Sequence, residues 1–175
     1  MFDSKNNETF AAINELCSLS KESKKPIVIW VGAGASAWCE LPLWSQLADN
    51  FHKDYCRYES AYDRKRAGEF LSQISFPDFF SYCKQISSVR FNNLLVSSLK
   101  APENPPPVYA RFISALKATK QPLQILTTNV DEALEQNLHL PVILPADLER
   151  LKTLVQNRES FIAKLHGSIS WQLQH

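Results

Sequence analysis

The stretch IVIWVGAGAS, Ile27–Ser36, decides the fold. Its first five residues are all apolar, the pattern of a strand buried on both faces in a parallel sheet. The run stops at Gly32-Ala33-Gly34, followed by the polar Ser36. Glycines placed directly after such a strand let the backbone approach a phosphate. A helix starting there aims free N–H groups at the anion. Gly32, Gly34 and Ala37 also satisfy the G-x-G-x-x-A form of the dinucleotide fingerprint. A tight strand-to-helix turn with no ligand would leave the same letters. A hydride-transferring dehydrogenase needs in addition an acidic residue about 20 positions on, at the end of a second strand. Asp49 and Asp54 stand near that distance but within a helical pattern, in which Trp44, Leu47, Phe51 and Tyr55 share one face.

Working outward, three more strand candidates lie downstream: QILTT (Gln124–Thr128), PVILP (Pro141–Pro145) and SFIAKL (Ser160–Leu165). Helices fit between them at Asp131–Asn137 and Ala146–Gln156. Strands alternating with helices imply right-handed crossovers and a parallel sheet. Residues 57–100 read as helix throughout, with apolar clusters at Phe70, Leu71 and Ile74, at Phe79, Phe80, Cys83 and Ile86, and at Phe91, Leu94, Leu95 and Leu99. APENPPP (Ala101–Pro107) is an extended connector. Tyr109, Phe112, Ile113 and Leu116 mark a further helix. Upstream, Phe10, Ile13, Leu16 and Cys17 form one helical face before the polar break Ser20–Lys25. The expected fold class is therefore α/β: a Rossmann-like parallel sheet of about four strands with flanking helices and an inserted helical subdomain at about residues 53–105.

Length and composition fit a single globular domain. The chain has 175 residues, 45% hydrophobic and 21% charged, ordinary values for a folded soluble protein. Nineteen basic against eighteen acidic side chains leave a net charge of +1, so no global field favours nucleic acid or an anionic membrane. The four cysteines, Cys17, Cys39, Cys56 and Cys83, include no C-x-x-C pair, and His52 with Cys56 supplies only two ligands, too few for zinc. MFDSKNNETF lacks the pattern of a signal peptide, and no apolar stretch approaches the roughly 20 residues of a membrane span. The expected location is the cytoplasm, with no metal and no membrane or nucleic-acid partner.

Two further stretches carry chemistry. In LTTNVDEALE, Leu126–Glu135, an apolar strand ends in two threonines, then Asn129 and Asp131, and a helix begins. Polar residues at the carboxyl end of a parallel strand are where an open sheet binds ligands; a plain helix cap with acidic residues in the first turn accounts for the same pattern. In KLHGS, Lys164–Ser168, a histidine followed by glycine again sits at a strand end. It is either an accessible general base or a histidine tucked into a turn. G-x-S-x-G, G-x-x-x-x-G-K-[ST] and H-E-x-x-H are all absent.

VGAGAS, LTTNVDEALE and KLHGS occur together and in this order, each at a strand end. In this the chain resembles a sirtuin-like domain of the silent-information-regulator superfamily over roughly residues 10–170, with 53–105 matching poorly. Leu41-Pro42-Leu43-Trp44 follows the glycine turn, similar to the Leu-Pro-x-Trp of the NAD-hydrolysing branch found in prokaryotic anti-phage defence proteins. The deacylase branch carries Ile-Pro-Asp-Phe-Arg there, Gln where Thr128 stands, and a four-cysteine zinc module after the His-Gly. The resemblance implies that Gly32, Ala33, Gly34 and Ser36 line the diphosphate and ribose of NAD, with Thr128 beside them. It implies that Asn129 orients the nicotinamide ribose or the attacking water. Asp131 would accept a hydrogen bond from the nicotinamide carboxamide, and His166 would act as general base. The catalytic pair would be His166 and Asn129, with NAD as substrate.

The implied activity is that of an NADase, a hydrolase cleaving NAD to nicotinamide and ADP-ribose, as an antiviral effector that depletes cellular NAD. The alternatives are a non-catalytic module that senses NAD or ADP-ribose, a protein deacylase and an ADP-ribosyltransferase. The family's later strands, which hold the adenosine half of NAD, have no counterpart after Gln172. Residues 1–175 are thus expected to be the N-terminal portion of the domain. A homo-oligomer, or a partner or regulatory domain beyond residue 175, would complete it. On this reading the last strand, ending at Leu165, is left with an open edge.

Overall fold

The computed structural model describes residues 25–169; the helical face expected at Phe10 to Cys17 lies outside them. Four strands, β1 (Ile27–Val31), β2 (Leu123–Thr127), β3 (Val142–Ile143) and β4 (Phe161–Lys164), form one sheet in the order β1-β2-β4-β3. Every pair is parallel. Between β1 and β2 run α1 (Ala33–Trp38), α2 (Trp44–Tyr58), α3 (Arg64–Ser72), α4 (Phe76–Ile86), α5 (Ser88–Leu99) and α6 (Pro107–Lys117). Then α7 (Ala133–Leu138) leads to β3, and α8 (Leu148–Gln156) leads to β4. The architecture is α/β with an all-parallel sheet, compatible with a Rossmann-like fold.

The pairing partners show what covers each face. Ile29, Ile125 and Ile162 lie side by side across β1, β2 and β4. They belong to a buried cluster with Tyr109, Ile113 and Leu116 of α6 and Ala133, Leu134 and Leu138 of α7. On the opposite face, Leu126, Ala163 and Ile143 pack with Phe161 and with Leu151 and Leu154 of α8. Helices on both faces are what parallel strands require, because βαβ crossovers bury the sheet from either side.

Two expectations are corrected. β1 is not buried on both faces: Val28 and Trp30 are each 62% exposed. β1 is an edge strand, and α8 covers the other half of that face, over β3 and β4. Nor does the last strand keep an open edge. β4 inserts between β2 and β3, so the edges are β1 and β3. A crossover that skips one place leaves no mark in the local pattern of either strand.

Helices α2 to α5 surround a second cluster, built on Leu47, Phe51 and Tyr55 of α2, Phe79, Tyr82 and Cys83 of α4, and Leu95 and Leu99 of α5. Their starts are locally encoded. Asp63 accepts from the Lys65 N–H at 2.9 Å, Pro77 sits in the first turn of α4, and the Leu43 N–H donates to Gln46 Oε1 at 2.9 Å. Arg90 of α5 reaches Asp54 at 2.8 Å and Glu59 at 2.6 Å, tying α5 back to α2 and the turn after it. The Phe51 ring is fully buried and meets the rings of Phe80 and Phe91 edge-on, at centroid distances of 5.2 and 5.3 Å. Phe51→Ala is expected to cost about 3–5 kcal/mol, read as a lower urea midpoint at unchanged slope. Among the described residues no helix is long and apolar enough to cross a membrane.

Candidate functional site

Strands β1, β2 and β4 are neighbours, so their carboxyl ends bring the three motifs of the sequence side by side. Thr127, the last residue of β2, and Thr128, directly after it, have opposite jobs, because successive side chains of extended backbone alternate in direction. Thr127 is buried. Its Oγ1 donates to the Val31 carbonyl at 2.8 Å and accepts from the Asn129 N–H at 3.0 Å, which pins the loop entry to β1. Thr128 faces the other way, into a cavity. The Asn129 amide donates to the Gly32 carbonyl at 2.9 Å and to Ser36 Oγ at 2.8 Å. Ser36 Oγ donates in turn to Asp131 Oδ2 at 2.7 Å, and Asp131 Oδ1 accepts from the Ala133 N–H at 3.1 Å. Asp131 therefore satisfies the first N–H of α7, as a cap would, while also anchoring Ser36.

This relay borders a cavity of about 200 Å³. Its polar lining is Ser36, Thr128, Asn129, Asp131 and His166; its apolar lining is Ala33, Pro42, Trp44, Leu47, Leu99 and Val130. Six of the eight expected residues thus line one space. Gly32 joins through its carbonyl, whereas Gly34 is exposed on α1, outside the lining. Sequence reasoning assigned no role to the apolar wall. Pro42 and Trp44 were visible in the LPLW segment, where a proline and a large aromatic beside a glycine turn were the signal. Leu99 arrives from the end of α5 and has no sequence signal.

The glycines are informative. A Cβ added to Gly32 or Gly34 would meet nothing within 4 Å, and neither has positive φ. The fold therefore does not need glycine at either position, and a tight-turn requirement loses its steric basis. Gly167 differs: its φ of 82° is a left-handed conformation that glycine alone adopts cheaply. That turn is laced to β2 and the loop after it. Leu165 N–H donates to the Thr127 carbonyl at 2.8 Å, Ile169 N–H to the Val130 carbonyl at 2.9 Å, and Ser168 Oγ to Glu132 Oε1 at 3.0 Å. His166 is exposed at the cavity mouth and has no hydrogen bond among the described residues.

Beneath the cavity lies an ion pair. Lys164 is completely buried, and its ammonium contacts Glu135 Oε1 and the Asp131 carbonyl, with the Val130 carbonyl at 3.4 Å. Burial pushes the Glu135 carboxyl above its ordinary range, against the opposing pull of the Lys164 charge. Burial, then the nearby Asp131 charge, pushes the Cys39 thiol up as well, which makes it an inert thiol at neutral pH. His52 and Cys56 contact each other at 3.6 Å, and His52 contacts Tyr62 Oη at 2.7 Å. Among the described residues no three His, Cys, Asp or Glu side chains gather as a metal site. A scan against protein-family models finds no match for this chain, and a search of the curated proteins finds none.

Proposed function

We propose that this chain is a sirtuin-like NAD glycohydrolase domain, with a helical insertion at about residues 53–105 and anti-phage depletion of NAD as its role. The observation that carries the reading is the joining of Gly32, Ser36, Asn129 and Asp131 in one relay beside a cavity that His166 also lines. A volume of about 200 Å³ is below the ~300–1,000 Å³ typical of sites for drug-sized ligands. It suits one end of a dinucleotide, the nicotinamide and its ribose. The apolar wall of Pro42, Trp44 and Leu99 matches a flat aromatic ring, and the polar wall matches its carboxamide and the ribose hydroxyls. The diphosphate would pass over Gly32 and Gly34, where the open space around both glycines gives it room.

The chemistry asked of such a site is modest. Nicotinamide is a pyridinium in NAD and leaves as a neutral base. Positive charge grows on the ribose, and the oriented Asn129 and Asp131 dipoles and charge stabilise it. His166, unencumbered and accessible, takes a proton from the attacking water or a ribose hydroxyl. Among the described residues β1 ends the sheet, which supports completion there by further strands, a partner domain or a second copy, since exposed strand edges invite pairing; the exposed Val28 and Trp30 leave an open face beside it.

The test is nicotinamide release from NAD by the complete protein, with no acyl-lysine peptide present. Release is expected; strict dependence on an acetylated peptide would favour deacylation, and binding without turnover would favour a sensor. The glycine turn gives a separate prediction. Gly34→Ala is expected to keep or raise stability by up to about 1 kcal/mol, because alanine is the better helix former. Gly34→Val is expected to abolish NAD binding by calorimetry while the protein stays folded. Unchanged affinity would return the turn to a structural role.

A further inference from the structure

The geometry points to Lys164 as the positioning residue of this site: its buried ammonium fastens the Asn129–Asp131 segment to the end of the strand that leads to His166. The inference rests on the catalytic reading of Asn129 and His166 above. Lysine is almost never fully buried without partners, and the Lys164 side chain is fully buried at the end of β4. The three donors of an ammonium have three acceptors here: Glu135 Oε1, the Asp131 carbonyl and the Val130 carbonyl. All three belong to residues 130–135, the segment directly after Asn129. Lys164 itself ends β4, two residues before His166. One side chain therefore joins the two parts of the site from the buried side, in addition to the Leu165–Thr127, Ile169–Val130 and Ser168–Glu132 hydrogen bonds. A buried ion pair is weak grounds for stability, so orientation is the better account of this one. Glu135 holds the ammonium in place from the first turns of α7, and its second oxygen, Oε2, is buried with no hydrogen-bond partner.

The experiment compares the complete parent protein with Lys164→Met/Glu135→Leu, which removes both charges together. Two measurements are made: amide hydrogen exchange at Asn129 and Ala133, and kcat and KM for NAD cleavage. The double variant is expected to fold, to exchange at those amides about tenfold faster, and to lose about 10–100-fold in kcat with KM little changed. Parent-like exchange and parent-like kcat in the folded variant would overturn the inference. Should the double variant fail to fold, Lys164→Met/Glu135→Gln, which removes the ammonium and leaves a neutral amide at 135, takes its place; parent-like exchange at Asn129 and Ala133 there overturns the inference equally. The exchange measurement is independent of turnover. A parent that cleaves no NAD refutes the proposed function, and exchange at the two amides still decides whether Lys164 holds the segment.

Discussion

His166→Ala is expected to lower NAD cleavage at least about 100-fold while leaving the protein folded. The side chain is exposed and has no hydrogen bond among the described residues, so its removal falls with surface substitutions worth within about 0.5 kcal/mol. Loss of activity can then be assigned to the missing imidazole. Asn129→Ala is expected to lose as much activity and some stability too. Its amide donates to the Gly32 carbonyl and Ser36 Oγ, and losing a hydrogen bond of this kind costs about 0.5–1.5 kcal/mol. Turnover and urea midpoints measured on both variants separate the two effects. Parent rates in both would sink the assignment of the site.

The contrast between these residues explains what could be read before the structure. IVIWV, QILT and FIAK announce strands because no polar residue interrupts them, and the polar letters at their carboxyl ends stand where an open sheet takes ligands. That rule points to the strand ends where the cavity lies, and the resemblance named six of the residues that line it. Strand order follows from neither: the insertion of β4 between β2 and β3 depends on where α8 packs, so the exposed edge fell on β1 instead of the last strand. PVILP overstated its strand, which is limited to Val142 and Ile143. Ile74, expected on an apolar helix face, lies past the end of α3 with φ of 55° and 71% exposure. The apolar wall is the least legible part, because Leu99 and Val130 meet only through tertiary packing. Lys164 was legible in principle. A lysine inside SFIAKL, flanked by alanine and leucine in a buried strand, demands a partner, and Glu135 was the acid within LTTNVDEALE able to supply it.

The same pair sets an expected effect on stability as large as that of Phe51→Ala. Lys164→Met removes the cation and leaves the Glu135 carboxylate buried without its partner, a loss of about 3–5 kcal/mol at neutral pH. The deficit should depend on pH with a definite sign. Burial already holds the Glu135 carboxyl above its ordinary range, and the Lys164 charge pulls it back down. Without that charge the folded-state value rises further, while the unfolded value stays near the ordinary ~4.3. Between those two values the native state binds more protons than the unfolded state. Stability therefore falls as pH rises through the window and returns as pH drops toward the unfolded value. Asp131 and its neighbour Glu132 are the other acids on this segment and are present in both proteins, so the comparison isolates Glu135. Urea titrations near about pH 5.5 and about pH 7.5 should show Lys164→Met closer to the parent at the lower pH. Adding Glu135→Leu should remove the excess pH dependence and restore much of the stability, because no unpaired buried charge remains. An equal deficit at both pH values would mean that Glu135 escapes to water once Lys164 is gone, and that burial of the pair is enforced by the lysine itself.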